Sequence, residues 1–309
     1  MDIFLLIVGI IVLLQGANMF VSGASGLAKH FRIPTFIIGL TIVAFGTSAP
    51  EAAVSISASL RGFGDLALGN IVGSSLMNIL VILGLSAIFM PVIIKESVIK
   101  RELPFALLAT LLLIAFYYLG HQVLGRLEGA IFLTIFVIFM WVLLKGSRNT
   151  AAVNDPNEII KNPWLSTLFL IIGAVAIAFG GDLITNKASN IAVALGMSEM
   201  LIGLTIVAIG TSLPELMTTL VAAFKKETDI ALGNIIGSNI FNILFVLGIT
   251  SVISPMHLSR GALMDMVLLF VITLITFVFA FTDREITKKE GIVMVSIYFV
   301  YLIFIIIRN

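Results

Sequence analysis

The sequence predicts an all-α polytopic membrane protein: ten transmembrane helices arranged as two inverted five-helix repeats, broken near the bilayer midplane. Three observations predict it. Of 309 residues, 60% are hydrophobic and 11% charged, with a mean hydropathy of +1.17, which leaves too little polar surface to cover a soluble core. Apolar runs of about 20 residues recur along the chain, each long enough to cross hydrocarbon. Two stretches also return at a fixed offset of 164 residues. GLTIVAFGTSAPEAAVSISAS at 39–59 matches GLTIVAIGTSLPELMTTLVAA at 203–223, and GDLALGNIVGSSLMNILVILG at 64–84 matches TDIALGNIIGSNIFNILFVLG at 228–248, with 25 of 42 positions identical.

The predicted spans are 3–25, 34–60, 65–90, 103–120, 127–144, 164–186, 200–224, 229–253, 262–281 and 290–307. The first is read as a retained helix, because no small-residue cleavage site follows it. The one long polar segment, KGSRNTAAVNDPNEIIKNP at 145–163, has the Asn, Asp, Pro and Gly of a loop and is too short for a soluble domain. With the N-terminus outside, thirteen of the eighteen Lys and Arg fall in cytoplasmic loops, the bias that sets orientation. Both termini are therefore expected outside a cell membrane, and the central loop in the cytoplasm. There is no Cys, hence no disulfide and no thiolate metal site. A net charge of +1 gives no reason to expect nucleic acid.

Five spans, an odd number, separate equivalent helices, so the two copies should cross in opposite directions. The expected organisation is a first repeat at 1–145, a cytoplasmic linker at 146–162 and a second repeat at 163–309, forming one integrated membrane domain. Inverted repeats place a transporter's substrate site near the midplane, on discontinuous helices.

The repeated motifs carry the chemistry. A carboxylate at helix centre costs roughly 2.5–3.5 kcal/mol on insertion scales, and Glu51 and Glu215 both incur it. Thr47, Glu51 and Ser55 are spaced i, i+4, i+8, as are Thr211, Glu215 and Thr219, which puts each trio on one helical stripe. Ser48 and Ser212 border them. Pro50 and Pro214 lack an amide hydrogen and clash with the carbonyls of Gly46 and Gly210, so each helix should be kinked or unwound around GTS. Freed carbonyls at membrane depth are tolerated only in a protein-lined cavity or against a ligand. The alternatives are a protonated Glu hydrogen-bonded between helices and a simple packing kink.

The following span adds Asn70, Ser74 and Asn78, again at i, i+4, i+8, matched by Asn234, Ser238 and Asn242. Asn70 and Asn234 could equally be glue between helices, whereas Ser74, Asn78, Ser238 and Asn242 read as walls of a site. These donors are all oxygens. Hard cations take such ligands, and calcium wants six to eight. Zinc and copper would want His or Cys. His30, His121 and His257 are expected in loops facing solvent. No Lys or Arg lies beside the motifs, which argues against an anion. Asp182, the repeat equivalent of Asn18, is expected near a span end, in water or against a neighbouring helix, with a place on a gate or pathway as the alternative.

GTSAPE with GNIVGSSLMN and GTSLPE with GNIIGSNIFN resemble the alpha repeats of the sodium/calcium exchanger family, a branch of the cation/calcium antiporters, and the ten-span plan extends the resemblance over essentially the whole chain. It implies a short prokaryotic-type member that exchanges calcium for sodium, electrogenically and by alternating access. It also implies that Glu51, Glu215, Thr47 and Thr211 hold calcium and, with Ala44, Ser48 and Ser74 on one side and Ala208, Ser212 and Ser238 on the other, sodium. Asn78 and Asn242 take the family's central polar position. The potassium-dependent branch has Asp where this chain has Asn242, which argues against a potassium requirement. The short central loop leaves no room for the calcium-sensing domains that animal members insert there. A proton/calcium antiporter using the same site is the alternative, although that branch carries a different Gly-Asn-x-x-Glu signature. A cation channel is the alternative of another class. An enzyme is not expected, since no intramembrane His or Lys stands beside a Ser and no HExxH occurs. Calcium and sodium are expected as transported ions, with no cofactor and no protein partner beyond the bilayer.

Overall fold

A computed structural model describes residues 1–147, 162–196, 206 and 208–308. Most of the predicted linker and the first third of the predicted span 200–224 lie outside the described residues.

The described residues are mostly helical. Helix α1 is Asp2–Phe31. The second span is α2, Thr35–Ile38, a π-helical turn at Gly39–Val43, and α3, Ala44–Thr47. It stops at Ser48 and restarts as α4, Ala49–Leu60. Next come α5, Gly64–Met77, a π segment at Asn78–Leu83, and α6, Gly84–Phe89. A π turn at Val98–Glu102 leads into α7, Leu103–Leu119, followed by α8, Arg126–Ser147, and α9, Pro163–Ala194. The second motif forms α10, Ala208–Thr211, and α11, Leu213–Phe224. Then follow α12, Thr228–Ile240, a π segment at Phe241–Val246, α13, Leu247–Ile253, α14, Arg260–Asp283, and α15, Lys288–Arg308. Seven described helices are long and apolar enough to cross a bilayer, and the broken pair Thr35–Thr47 with Ala49–Leu60 makes an eighth. The protein is an all-helical polytopic membrane protein.

Two-residue strands tie distant loops. β1, Val92–Ile93, pairs antiparallel with β4, Glu285–Ile286, and β2, Val123–Leu124, pairs with β3, Met256–His257. Beside the first ribbon, Glu96 meets Lys100 at 2.6 Å and Arg284 at 3.6 Å. The Lys100 ammonium, by hydrogen bond and charge, holds the exposed Glu96 carboxyl below its ordinary range.

The helices pack into two compact units, each drawn from both halves of the sequence: Met1–Thr47, Leu143–Ile235 and Phe299–Asn309 in one, Ser48–Val142 and Ile236–Tyr298 in the other. In the first, α1 and α9 run antiparallel over most of their length. Gly9, Gly16 and Gly23 recur every seven residues on α1 and meet Gly180, Ala176 and Ser166–Leu170 of α9. A Cβ at Gly16 would lie 2.8 Å from the Ile177 nitrogen and from the Ala176 Cβ, so only glycine permits this approach. Small residues at such spacing let backbones touch where lipid gives no hydrophobic drive between helices. In the same unit Gly39 and Gly233 let the π turn of the second span cross α12 backbone to backbone.

In the second unit α4 and α5 form a tight antiparallel hairpin. Gly62, at φ +81°, closes it, with Phe63 N–H returning to the Ala58 carbonyl at 2.9 Å, a left-handed cap that glycine adopts without strain. The equivalent turn after α11 places Lys226 at φ +63°.

The histidines are exposed as expected, but His30 belongs to the last turn of α1 and His257 to β3 rather than to loops. Asp182 lies inside α9, twelve residues before its end, because that helix continues to Ala194 rather than stopping near 186. It is exposed.

Candidate functional site

The helix breaks fall where the prolines put them. Thr47 ends α3, Ser48 takes φ −83° and ψ 4°, and Pro50 sits in the first turn of α4, where its missing N–H would have had no intrahelical acceptor. Thr211 ends α10, Ser212 takes φ −91° and ψ 4°, and Pro214 opens α11. Each break turns a carbonyl-bearing helix C-terminus and a helix N-terminus toward one point in the chain. Glu51 and Glu215 occupy the first turns that follow, where the positive end of the helix dipole favours a carboxylate. Both are essentially fully buried, at 0% and 1% exposure.

In the second unit the stripes predicted on α4 and α5 face one another. The Asn70 amide donates to the Ser55 hydroxyl at 2.9 Å and to the Glu51 carbonyl at 3.2 Å. The Ser55 hydroxyl donates to the Ala67 carbonyl at 3.2 Å. The Ser74 hydroxyl donates to Glu51 Oε1 at 3.4 Å. One turn further on, Asn78 opens the π segment, and its amide nitrogen donates to Asn239 Oδ1 at 3.0 Å. The other π segment, carrying Asn242, packs against both α4 and α5. Asn78 Oδ1, Ser238 Oγ and both amide atoms of Asn242 are buried and make no hydrogen bond with the described residues. Buried polar atoms are ordinarily satisfied.

In the first unit the Thr47 hydroxyl donates to Asn234 Oδ1 at 3.1 Å and to the Ala44 carbonyl at 3.3 Å, and the Asn234 amide donates to Thr219 Oγ1 at 3.0 Å. All four residues are buried. The Thr47 hydroxyl hydrogen is thus shared within the fold, which orients the side chain. Asn234 ties α3 to α11, and Asn70 ties α5 to α4, the contacts that glue between helices would make. Helix α11, bearing Glu215 and Thr219, packs against α3. Ser212 is buried and Thr211 half-buried. Ala208 lies on α10, with only its backbone described.

Sequence reasoning missed Asn239. Its signal was present: within GNIVGSS and GNIIGSN the copies agree on Gly-Asn-Ile and Gly-Ser and then diverge, Ser75 against Asn239.

The whole arrangement has known relatives. The model of the sodium/calcium exchanger protein family matches residues 1–145 and 165–307. The chain belongs to the sodium/calcium exchanger family. It is 39% identical over 260 residues to the inner membrane protein YrbG of Escherichia coli K12, covering 81% of this chain and 79% of that one. It is 30% identical to the sodium/calcium exchanger MaX1 of Methanosarcina acetivorans, across 98% of this chain and 97% of the relative. A solved structure of the sodium-calcium exchanger NCX_Mj, soaked with sodium and strontium, superposes with a TM-score of 0.84 at 32% identity and covers 97% of both chains. This exchanger-family chain is a membrane antiporter of the short prokaryotic type, a transporter rather than an enzyme, and it uses no cofactor beyond the ions that its family moves.

Proposed function

We propose that the protein exchanges calcium for sodium across the membrane, electrogenically and by alternating access. The observation that carries this reading is the pair of buried glutamates, each in the first turn of a half-helix that follows a break at a Gly-Thr-Ser motif. In the proposed site Glu51, Glu215 and the carbonyls of Thr47 and Thr211 hold calcium. Sodium uses the same groups with Ala44, Ser48, Ser74, Ala208, Ser212 and Ser238, and Asn78 and Asn242 take the centre. Two fixed negative charges balance one calcium ion. Three sodium ions, one toward each end and one sharing the middle, leave the loaded core at +1, so each cycle moves one net charge. Ten spans as two inverted repeats, 1–145 and 163–309, with both termini outside and the 146–162 linker in the cytoplasm, complete the proposal.

Calcium titration of the purified protein tests the site. The wild type should bind calcium saturably, and sodium should displace it. Removing one partner from a buried, paired charge costs on the order of 3–5 kcal/mol, so Glu51→Gln and Glu215→Gln should each weaken calcium by a hundredfold or more. Near-normal binding by both variants would remove the glutamates from the site.

A further inference from the structure

We infer that Asn239 is a positioning residue that fixes the Asn78 side chain with its oxygen turned toward the transported ion; this rests on the ion-site reading above. A carboxamide has a donating and an accepting end of nearly equal size, so a cation site that uses an asparagine must also decide which end faces the ion. At Asn78 the decision comes from the backbone. The π segment begins at this residue, and its N–H is shared between the carbonyls of Ser74 and Ser75. A main-chain carbonyl has two lone pairs, so the Ser75 carbonyl can take a second bond. The Ser75 carbonyl accepts from Asn239 Nδ2 at 3.3 Å. A carbonyl can only accept, so Asn239 must present its oxygen at the other end. That oxygen accepts from Asn78 Nδ2 at 3.0 Å, and Asn78 must in turn leave Oδ1 free. Asn78 Oδ1 is the end that is buried and makes no hydrogen bond with the described residues. Reversing the Asn78 amide would set two oxygens against each other, and would aim an N–H at a cation.

The second copy lacks this relay. The repeat places Ser75 opposite Asn239 and Asn242 opposite Asn78. The Ser75 hydroxyl is fully buried and makes no bond with the described residues, and neither amide atom of Asn242 makes one. The two central asparagines are therefore unequal. Asn78 has a side-chain partner that orients its amide, and Asn242 has no such partner among the described residues.

The test uses the full-length exchanger in proteoliposomes, with sodium and calcium as probes. Losing one neutral hydrogen bond's worth of orientation corresponds to roughly fivefold. Asn239→Ala should raise the half-saturating sodium concentration by about that factor, and Asn239→Ser, which copies the short Ser75 side chain, should do the same. In an Asn78→Ala background neither change should have further effect, since residues that act through one another are not additive. Thermal midpoints of all variants show whether they fold, and Asn239→Ser supplies the answer if the alanine variant does not. Additive effects of Asn239 and Asn78, or wild-type ion dependence with only a lowered midpoint, would overturn the inference and leave Asn239 a simple tie between helices. A wild-type protein without saturable dependence on either ion would instead overturn the exchange reading from which the inference starts.

Discussion

In the proposed site, Ser74 is the side chain expected to discriminate between ions of similar size. Its hydroxyl donates to Glu51 Oε1, which sets a neutral oxygen beside a charged one. Calcium draws most of its binding from carboxylate charge, whereas a monovalent ion relies more on neutral oxygens. Ser74→Ala and Ser238→Ala should therefore raise the sodium concentration needed for exchange several-fold with a smaller effect on calcium. Titrations showing calcium weakened and sodium unchanged would reverse that division of labour. Thr47 separates structure from ligation differently. Its hydroxyl serves Asn234 and Ala44, so Thr47→Val strands a buried amide oxygen at a cost of about 1–3 kcal/mol. The expected result is a thermal midpoint lower by several degrees with calcium affinity nearly retained, because the carbonyl stays. A large loss of affinity at unchanged stability would assign the hydroxyl to the ion instead.

At the scale of elements, backbone conformation sets the next test. Lys226 holds φ +63° where the first copy has Gly62, and a left-handed residue with a Cβ costs on the order of 1 kcal/mol. Lys226→Gly should raise the thermal midpoint slightly and leave transport intact; a fall would mean that the lysine side chain holds the turn. Gly16→Leu should do the opposite, since its first added atom already meets the α9 backbone. Failure of that variant to lose stability would mean that α1 and α9 part readily. The breaks at Ser48 and Ser212 were legible in the sequence because proline acts locally, through its own ring and missing N–H. The facing of Asn70 and Ser74 on Glu51 and Ser55 was legible because helical spacing stacks residues at i and i+4. The π segments at 39–43, 78–83, 98–102 and 241–246 were not legible, since a one-residue widening of a helix has no side-chain signature. The β1–β4 and β2–β3 ribbons join residues far apart in sequence through backbone bonds alone, and two-residue strands carry no periodicity. Asn239 was visible as a lapse in the repeat, but its role depends on which carbonyl lies opposite, and that only three dimensions supply.

At the scale of the whole molecule, the proposed exchange depends on membrane voltage. On the proposed reading, calcium would cancel the charge of Glu51 and Glu215 and three sodium ions would exceed it by one, so a 100 mV potential would contribute about 2.3 kcal/mol per cycle. Proton coupling through the same two carboxylates would move no net charge. The measurement that separates them is calcium uptake into proteoliposomes clamped with a potassium ionophore, under an imposed sodium gradient at fixed pH and at a series of voltages. The account predicts uptake that requires the sodium gradient and grows steadily as the compartment receiving calcium is made positive, since each inward calcium ion is exchanged for three outward sodium ions. Uptake that ignores sodium and voltage and follows an imposed pH gradient would contradict it.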